Sequence, residues 1–91
     1  MADDRQTGRT TDQMIAAAEG SLFIWCNSAL DYPRALARRL GRRDLFIVGP
    51  DDLERRGDLR RRWPAIVVDH AVYFTDRQRA AYRMFLSMVN L

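Results

Sequence analysis

The sequence predicts a small α/β domain with a mainly parallel three-stranded sheet, crossover helices and a C-terminal amphipathic helix. Three short apolar runs, rich in aromatic and β-branched residues, alternate along the chain with segments of helical periodicity. Such alternation is typical of parallel sheets, because each right-handed crossover returns the chain to the same end of the sheet. A chain of 91 residues supports one hydrophobic core, so residues 10–91 are predicted to form a single α/β domain.

The N-terminal region is predicted to be a tail followed by a short helix. Residues 1–9 are polar and lack apolar periodicity, which indicates a disordered tail. Thr10 and Gln13 have the spacing of a capping box, and Gly20 supplies a stop signal. We therefore expect a helix from Thr11 to Glu19.

Each apolar run is expected to be a buried strand, since each is short and is bounded by turn residues. The runs are Leu22 to Cys26, Leu45 to Val48 and Ala65 to Val68. Between the first two, Pro33 marks the start and Gly41 the end of a basic, amphipathic crossover helix. After the second, Asp51 and Glu54 have N-cap and N3 spacing for a short helix.

The C-terminal helix has the clearest pattern. Thr75 and Gln78 form a capping box, and the apolar residues that follow recur on one helical face. Those apolar residues are Ala81, Tyr82, Phe85, Leu86 and Val89. We expect this face to pack across the sheet.

Positive charge in this chain is carried by arginine. The sequence has fifteen Arg, no Lys and twelve carboxylates, for a formal net charge of +3. A GC-rich genome explains many Arg codons without any function, and charge on a crossover helix is often only a solvated face. Arginine nevertheless makes forked contacts with phosphate and carboxylate that lysine cannot reproduce. The predicted partner-binding face consists of Arg34, Arg38, Arg42, Arg55, Arg56, Arg60, Arg61 and Arg62.

The loops after the strands are the one place where the sequence suggests chemistry, since a parallel sheet brings them to one edge. Asp69 and His70 follow the third strand, and an acid–base role is one interpretation. Neighbouring side chains diverge in extended backbone, however, and the chain has neither a phosphate-binding glycine loop nor a dinucleotide fingerprint. We expect Asp69 and His70 to be turn residues and Cys26 to be a small core residue, with no catalytic residue, cofactor or metal.

The sequence also indicates a location and an assembly. A single Cys cannot form an internal disulfide, and the N-terminus lacks the pattern of a secretion leader, which predicts a cytoplasmic protein. No apolar run approaches the ~20 residues that cross a bilayer. A homodimer remains open, because a domain of this size buries limited surface. Tyr73 and Phe74 are candidates both for partner contact and for packing under the last helix.

Between Thr10 and Gln78 the chain shows a pattern of strands and turns. The pattern consists of Leu22 to Asn27, Tyr32-Pro33, Leu36-Ala37, Leu40 to Arg42, Asp44-Leu45, Ile47 and Val67 to Ala71. It resembles small uncharacterised α/β proteins encoded by phages and prophages of GC-rich bacteria, a group that includes anti-CRISPR proteins. The resemblance implies an inhibitor that binds and occludes a surface of a host defence complex. Many anti-CRISPR proteins are acidic and mimic nucleic acid, whereas this basic chain favours another mode of blockade.

We therefore expect a non-enzymatic binding protein. Its expected partner is a host protein or nucleoprotein complex in the bacterial cytosol. The Arg-rich face is expected to bind this partner and to occlude part of its surface. The alternative is a nucleic-acid-binding accessory protein of phage replication or packaging. Salt dependence separates the two, because phosphate contacts weaken steeply as salt rises.

Overall fold

The computed structural model has a three-stranded parallel sheet with helices on both faces. It describes residues 2–89, with side chains from residue 8 onward. The elements in chain order are α1 (Ala2–Ala16), β1 (Leu22–Ile24), α2 (Asp31–Arg39), β2 (Phe46–Val48), α3 (Asp52–Arg55), a 3-10 helix (Gly57–Leu59), β3 (Ile66–Val68) and α4 (Asp76–Leu86). The predicted α/β class, with three parallel strands and a C-terminal helix, is confirmed.

The strand order is β2-β1-β3, so the first strand is central and the other two are edges. Phe23 of β1 lies opposite Ile47 on one side and Val67 on the other, in parallel register. Alternate residues of a strand point to opposite faces of the sheet. Each three-residue strand therefore contributes its middle residue to one face and its outer residues to the other.

Helices cover each face with a separate apolar cluster. On the face of Phe23, Met14 of α1 and Leu36 of α2 are buried against the sheet. On the opposite face, Trp63 and Phe85 pack with the outer strand residues. Burial of each large apolar side chain contributes about 1.5–3 kcal/mol. Strands of three residues thus depend on both helical layers.

Helix α1 differs from the prediction at both ends. It begins at Ala2 instead of Thr11 and ends at Ala16 instead of Glu19, so it overlaps the segment predicted as a tail. Thr10 and Gln13 lie within the helix and do not cap it. The Thr10 hydroxyl donates a hydrogen bond of 2.8 Å to Asp69 Oδ1. With the helix anchored by this buried contact, upstream residues join it without a new nucleation cost.

Gln13 completes the outer edge of β3. Its Nε2 donates to the carbonyl of Val68 at 2.9 Å, and its Oε1 accepts from the amide of His70 at 3.1 Å. A strand residue in a parallel ladder makes this same pair of bonds, to groups two residues apart. The amide of Asp69, between them, points the other way and donates to Ile24 of β1. The Gln13 side chain therefore takes the place of a fourth strand at this position.

The crossover helix α2 ends as its sequence predicts. Gly41 has a φ of +71°, a left-handed conformation that favours glycine and turns the chain towards β2. A second glycine, Gly49, is required by space. A Cβ there would lie 2.9 Å from the carbonyl oxygen of Asn27, in the loop after β1.

The N-terminal caps predicted for α3 and α4 differ in the structure. At α4 the capping box is formed, because Thr75 Oγ1 accepts from the Gln78 amide and Gln78 Oε1 accepts from the Thr75 amide. At α3, Asp51 lies at the N-cap position as predicted, but its side chain makes no capping hydrogen bond. Asp51 instead accepts from Gln78 Nε2 at 2.7 Å, and Asp52 accepts from the Gly49 amide. A long-range donor therefore outcompetes the local one.

The predicted apolar face of α4 is partly wrong. Phe85 is buried and Tyr82 is half-buried, but Leu86 is exposed. Val89 lies beyond the helix and forms an isolated parallel bridge with Trp63. Within the last turn of α4, Phe85 therefore faces the core, whereas Leu86 faces away from it.

Replacing Gln13 by Leu tests the edge contact. The change retains bulk but leaves the Val68 carbonyl and the His70 amide without the side-chain partner, which lowers the free energy of unfolding by about 2 kcal/mol. Urea unfolding followed by circular dichroism measures this loss. The exposed neighbour Asp12, replaced by Asn, is the control and should change stability by less than about 0.5 kcal/mol. Equal stability of the two variants would contradict the proposed edge role.

Candidate anion-binding interface

A basic groove runs along the free edge of β2. It has a volume of about 340 Å³. Its lining, which we call the β2-edge groove, is Arg34, Ala37, Arg38, Arg43, Leu45, Phe46, Ile47 and Arg56. Because β2 ends the strand order, the groove opens beside a strand that has no neighbour on that side.

Three elements place the four arginines of the groove. Arg34 and Arg38 are one helical turn apart on α2, whose opposite side buries Leu36 against the sheet. Arg43 follows the Gly41 turn, just before β2. Arg56 follows α3. Positive charge thus reaches the groove from both crossover connections.

The groove has a strong positive bias. Its lining contains no Asp or Glu, and no carboxylate of the described residues lies within ion-pair distance of Arg34, Arg38 or Arg43. Arg56 pairs with Asp58 at 2.6 Å, an ion pair that raises the pKa of the guanidinium and lowers that of the carboxyl. A concave surface with one sign of charge attracts ions of the opposite sign.

The backbone of β2 adds a polar edge to the groove. The amide of Phe46 donates to Ser21, and the carbonyl of Val48 accepts from Trp25, so both groups face β1. In a strand the next residue's backbone groups point the other way. The amide and carbonyl of Ile47 therefore face the groove, where the N–H can donate to an anion that the arginines attract.

The aromatic ring of Phe46 forms part of the groove floor. The guanidinium carbons of Arg56 and Arg61 each lie 5.3 Å from its centroid, and Arg61 is also 4.3 Å from the centroid of the Trp63 ring. Such contacts hold a guanidinium in place without neutralising its charge. Arg61 is thus fixed beside the groove but is not part of its lining.

The structure separates the eight arginines that the sequence grouped together. Arg34, Arg38 and Arg56 meet in the groove. Four others are exposed and lie outside its lining, namely Arg55, Arg60, Arg61 and Arg62. Arg43 was missed as a groove residue, although its position between Gly41 and a strand was a usable signal.

Arg42 is largely buried and holds two elements of the fold together. Its guanidinium donates to the main-chain carbonyls of Met14 and Ile15, at the C-terminal end of α1, and pairs with Asp44 at 2.9 Å. Its side chain is only 16% exposed. A cation at this position is favourable because the last carbonyls of a helix carry partial negative charge. Arg42 therefore joins α1 to the loop before β2 and lies outside the groove.

A second polar cluster lies where β3 ends. The buried Asp69 accepts from the Thr10 hydroxyl and from the amide of Ala71, the turn role expected for this carboxylate. The expectation that the His70 side chain diverges from it is wrong, because the chain turns there and Nδ1 lies 3.5 Å from Asp69 Oδ1. His70 Nδ1 is also 3.4 Å from Gln13 Oε1, and its buried Nε2 has no hydrogen-bond partner among the described residues.

Cys26 does not lie in the core. β1 ends at Ile24, and Cys26 is half-buried in the loop that follows. Burial, followed by the negative charge of Asp69, raises the pKa of its thiol, which favours the protonated form. Within the part of the chain that the structure describes, no three His, Cys, Asp or Glu side chains gather as a metal site would require. No helix there is both long and apolar enough to cross a bilayer.

No protein-family model matches the chain, and comparison with curated proteins and with solved structures gives no match. The resemblance to small phage and prophage proteins therefore stays a prediction. Function must be inferred from the groove and its charges.

Replacing Asp44 by Asn tests the Arg42 junction through pH. The hydrogen bond from Arg42, with one from the Gly20 amide, holds the pKa of the Asp44 carboxyl well below its ordinary range. A depressed pKa stabilises the fold above the unfolded-state value of about 3.9, and this contribution is lost as pH falls further. The variant should therefore have a lower urea midpoint than the parent at about pH 7.

The difference between the two midpoints should shrink progressively below about pH 4. Asp12→Asn, an exposed substitution of the same chemistry, is the control. A midpoint difference that stayed constant down to about pH 3 would show that the ionised carboxylate is not what stabilises the junction.

Proposed function

We propose that this protein is a non-enzymatic binding protein whose β2-edge groove holds the phosphate backbone of nucleic acid within a host nucleoprotein complex. One observation carries the proposal. Arg34, Arg38 and Arg43 converge on one concave surface without a carboxylate partner among the described residues. Unpaired arginines brought together in this way favour a polyanionic ligand.

A phosphate backbone suits the donors of this groove. Guanidinium groups present planar, forked donors that match two phosphate oxygens, and the Ile47 amide offers a further donor between them. Contacts of this kind position a protein on nucleic acid but do not read its sequence. The bound nucleic acid should therefore be selected by charge and shape.

The polar groups near Asp69 support a binding role over a catalytic one. The Thr10 hydroxyl is buried and is hydrogen-bonded to Asp69, and Gln13 engages the His70 amide. The Thr10 hydroxyl and the Asp69 carboxylate are thus engaged with each other in joining α1 to the loop after β3. A nucleophile must instead present its oxygen to substrate next to an oriented base.

The resemblance and the groove together support inhibition by occlusion. A protein that covers the phosphates of a defence complex prevents that complex from using them. The second candidate is an accessory protein that binds free nucleic acid. The same exposed, unpaired arginines support this role equally well, because they can also contact the phosphates of an isolated duplex. The two roles differ in whether a protein surface contributes to binding.

Arginines beside a sheet edge also have a purely structural use. Charged side chains at an edge strand discourage pairing with another chain and so prevent aggregation. In that case their loss would promote aggregation without affecting any binding. The binding experiment below therefore includes a measurement of particle size.

The triple variant Arg34→Gln, Arg38→Gln, Arg43→Gln tests the groove. With about four phosphate contacts, the parent should lose roughly 100-fold in duplex affinity between about 50 and 200 mM salt. Losing three contacts should leave weak binding with a slope of log affinity against log salt close to −1, instead of about −3.6. Fluorescence anisotropy with a labelled duplex measures both quantities.

The matched control carries Arg39→Gln, Arg60→Gln and Arg62→Gln, which removes the same charge from exposed positions outside the groove lining. It should retain most of the affinity and of the salt slope. Equal losses in the two triple variants would show that net charge alone drives binding. Aggregation of the groove variant in light scattering, with unchanged affinity, would support the edge-protection role instead.

Affinity capture from a bacterial host lysate separates the two candidate roles. A defence-complex subunit that is still captured after nuclease treatment, and is lost with the groove variant, supports inhibition by occlusion. Prey that vanish with nuclease support the accessory nucleic-acid binder.

A further inference from the structure

A second groove lies beyond the other edge of the sheet, between the loop after β3 and α4. It has a volume of about 400 Å³. Its lining, which we call the aromatic groove, is Val68, Val72, Tyr73, Phe74, Arg79, Tyr82, Arg83 and Leu86. None of these residues belongs to the β2-edge groove, which lies along the opposite edge strand.

The aromatic groove has a stacked pair of rings in its wall and an exposed tyrosine at its rim. Phe74 and Tyr82 stack on each other with centroids 5.1 Å apart and an interplanar angle of 30°. Tyr73, by contrast, is 87% exposed. A buried tyrosine contributes to the core, but a tyrosine ring this exposed beside a stacked aromatic pair has a free face for a planar ligand.

Two cations lie on the helical side of this groove. Arg79 and Arg83 are one turn apart on α4, and neither has a carboxylate of the described residues within ion-pair distance. The lining contains no Asp or Glu. The groove therefore combines a free aromatic face with two unpaired guanidinium groups spaced along a helix.

This combination fits single-stranded nucleic acid better than an acidic peptide. An acidic peptide needs the cations but gains little from an exposed flat ring. An unpaired nucleotide uses both, since its base stacks on an aromatic side chain while its phosphate contacts a guanidinium. A duplex cannot use the ring, because its bases are already stacked on one another. Charge complementarity and the free ring together thus select the unpaired strand.

We infer that the aromatic groove binds single-stranded nucleic acid, with one base stacked on Tyr73 and neighbouring phosphates on Arg79 and Arg83. The aromatic groove and the β2-edge groove both bind nucleic acid in this proposal, but they have no residue in common. Each groove is therefore tested with substitutions of its own residues and with its own probe. Phosphate contacts in the β2-edge groove serve single strand and duplex alike, whereas the aromatic groove distinguishes them.

The test uses three probes with the full-length protein and its Tyr73→Ala variant. The probes are an oligothymidylate of about ten nucleotides, an abasic strand of the same length, and a duplex. Loss of one stacking contact should weaken oligothymidylate binding by about 5- to 100-fold and leave binding to the abasic strand and to the duplex unchanged. Tyr73→Phe retains the stacking face and should bind like the parent.

The arginines have a separate readout. Arg79→Gln with Arg83→Gln should lower the salt slope for oligothymidylate and for the abasic strand by about 1.4, since each phosphate contact contributes about 0.7 on single strands. Because Tyr73 is exposed, its replacement leaves the fold intact, which circular dichroism verifies.

Equal losses of Tyr73→Ala on the oligothymidylate and the abasic strand would overturn the inference, as would no loss on either. Displacement of oligothymidylate by a polyglutamate peptide as readily as by the abasic strand would assign the groove to acidic peptides. If the proposal for the β2-edge groove is wrong, the result differs. Duplex affinity is then unchanged by substitution of Arg34, Arg38 and Arg43, while Tyr73→Ala still weakens oligothymidylate binding.

Discussion

A three-stranded parallel sheet with three-residue strands has two free edges, and the treatment of those edges determines the rest of this structure. Parallel strands normally lie within larger sheets that are covered on both faces. Here the central strand β1 is paired on both sides, but β2 and β3 each leave a row of backbone groups unpaired by any strand. Those groups must be satisfied by side chains, by water or by a ligand.

The two edges have different solutions. At β3, Gln13 bonds to the carbonyl and amide that a fourth strand would use. At β2 no side chain between residues 8 and 89 plays this part, and arginines from both crossovers flank the exposed strand instead. The first solution pairs one carbonyl and one amide at the end of β3, whereas the second leaves a polar edge beside positive charge. This asymmetry makes the β2 edge the better place for a charged partner.

The sequence predicts the elements that depend on neighbours in the chain. The strands, the Gly41 turn and the Thr75–Gln78 capping box all follow from local spacing, and all are present. The failed capping predictions share one physical origin, which is a distant partner for a side chain that also has a possible local partner. Thr10 and Gln13 have capping-box spacing but bond to groups near residue 69, and Asp51 accepts from Gln78 instead of capping α3.

The arginines show why composition and placement carry different information. Codon bias can raise the number of arginines in a protein, but it does not determine where they lie in the fold. Arg42 extends its guanidinium to the end of α1, Arg61 lies over aromatic rings, and Arg34, Arg38 and Arg43 converge without a counter-ion among the described residues. The guanidinium of Arg42 is hydrogen-bonded within the fold, and that of Arg61 contacts aromatic rings. Only the third placement leaves forked donors directed at one space, and such a cluster is stabilised most when an anion occupies that space.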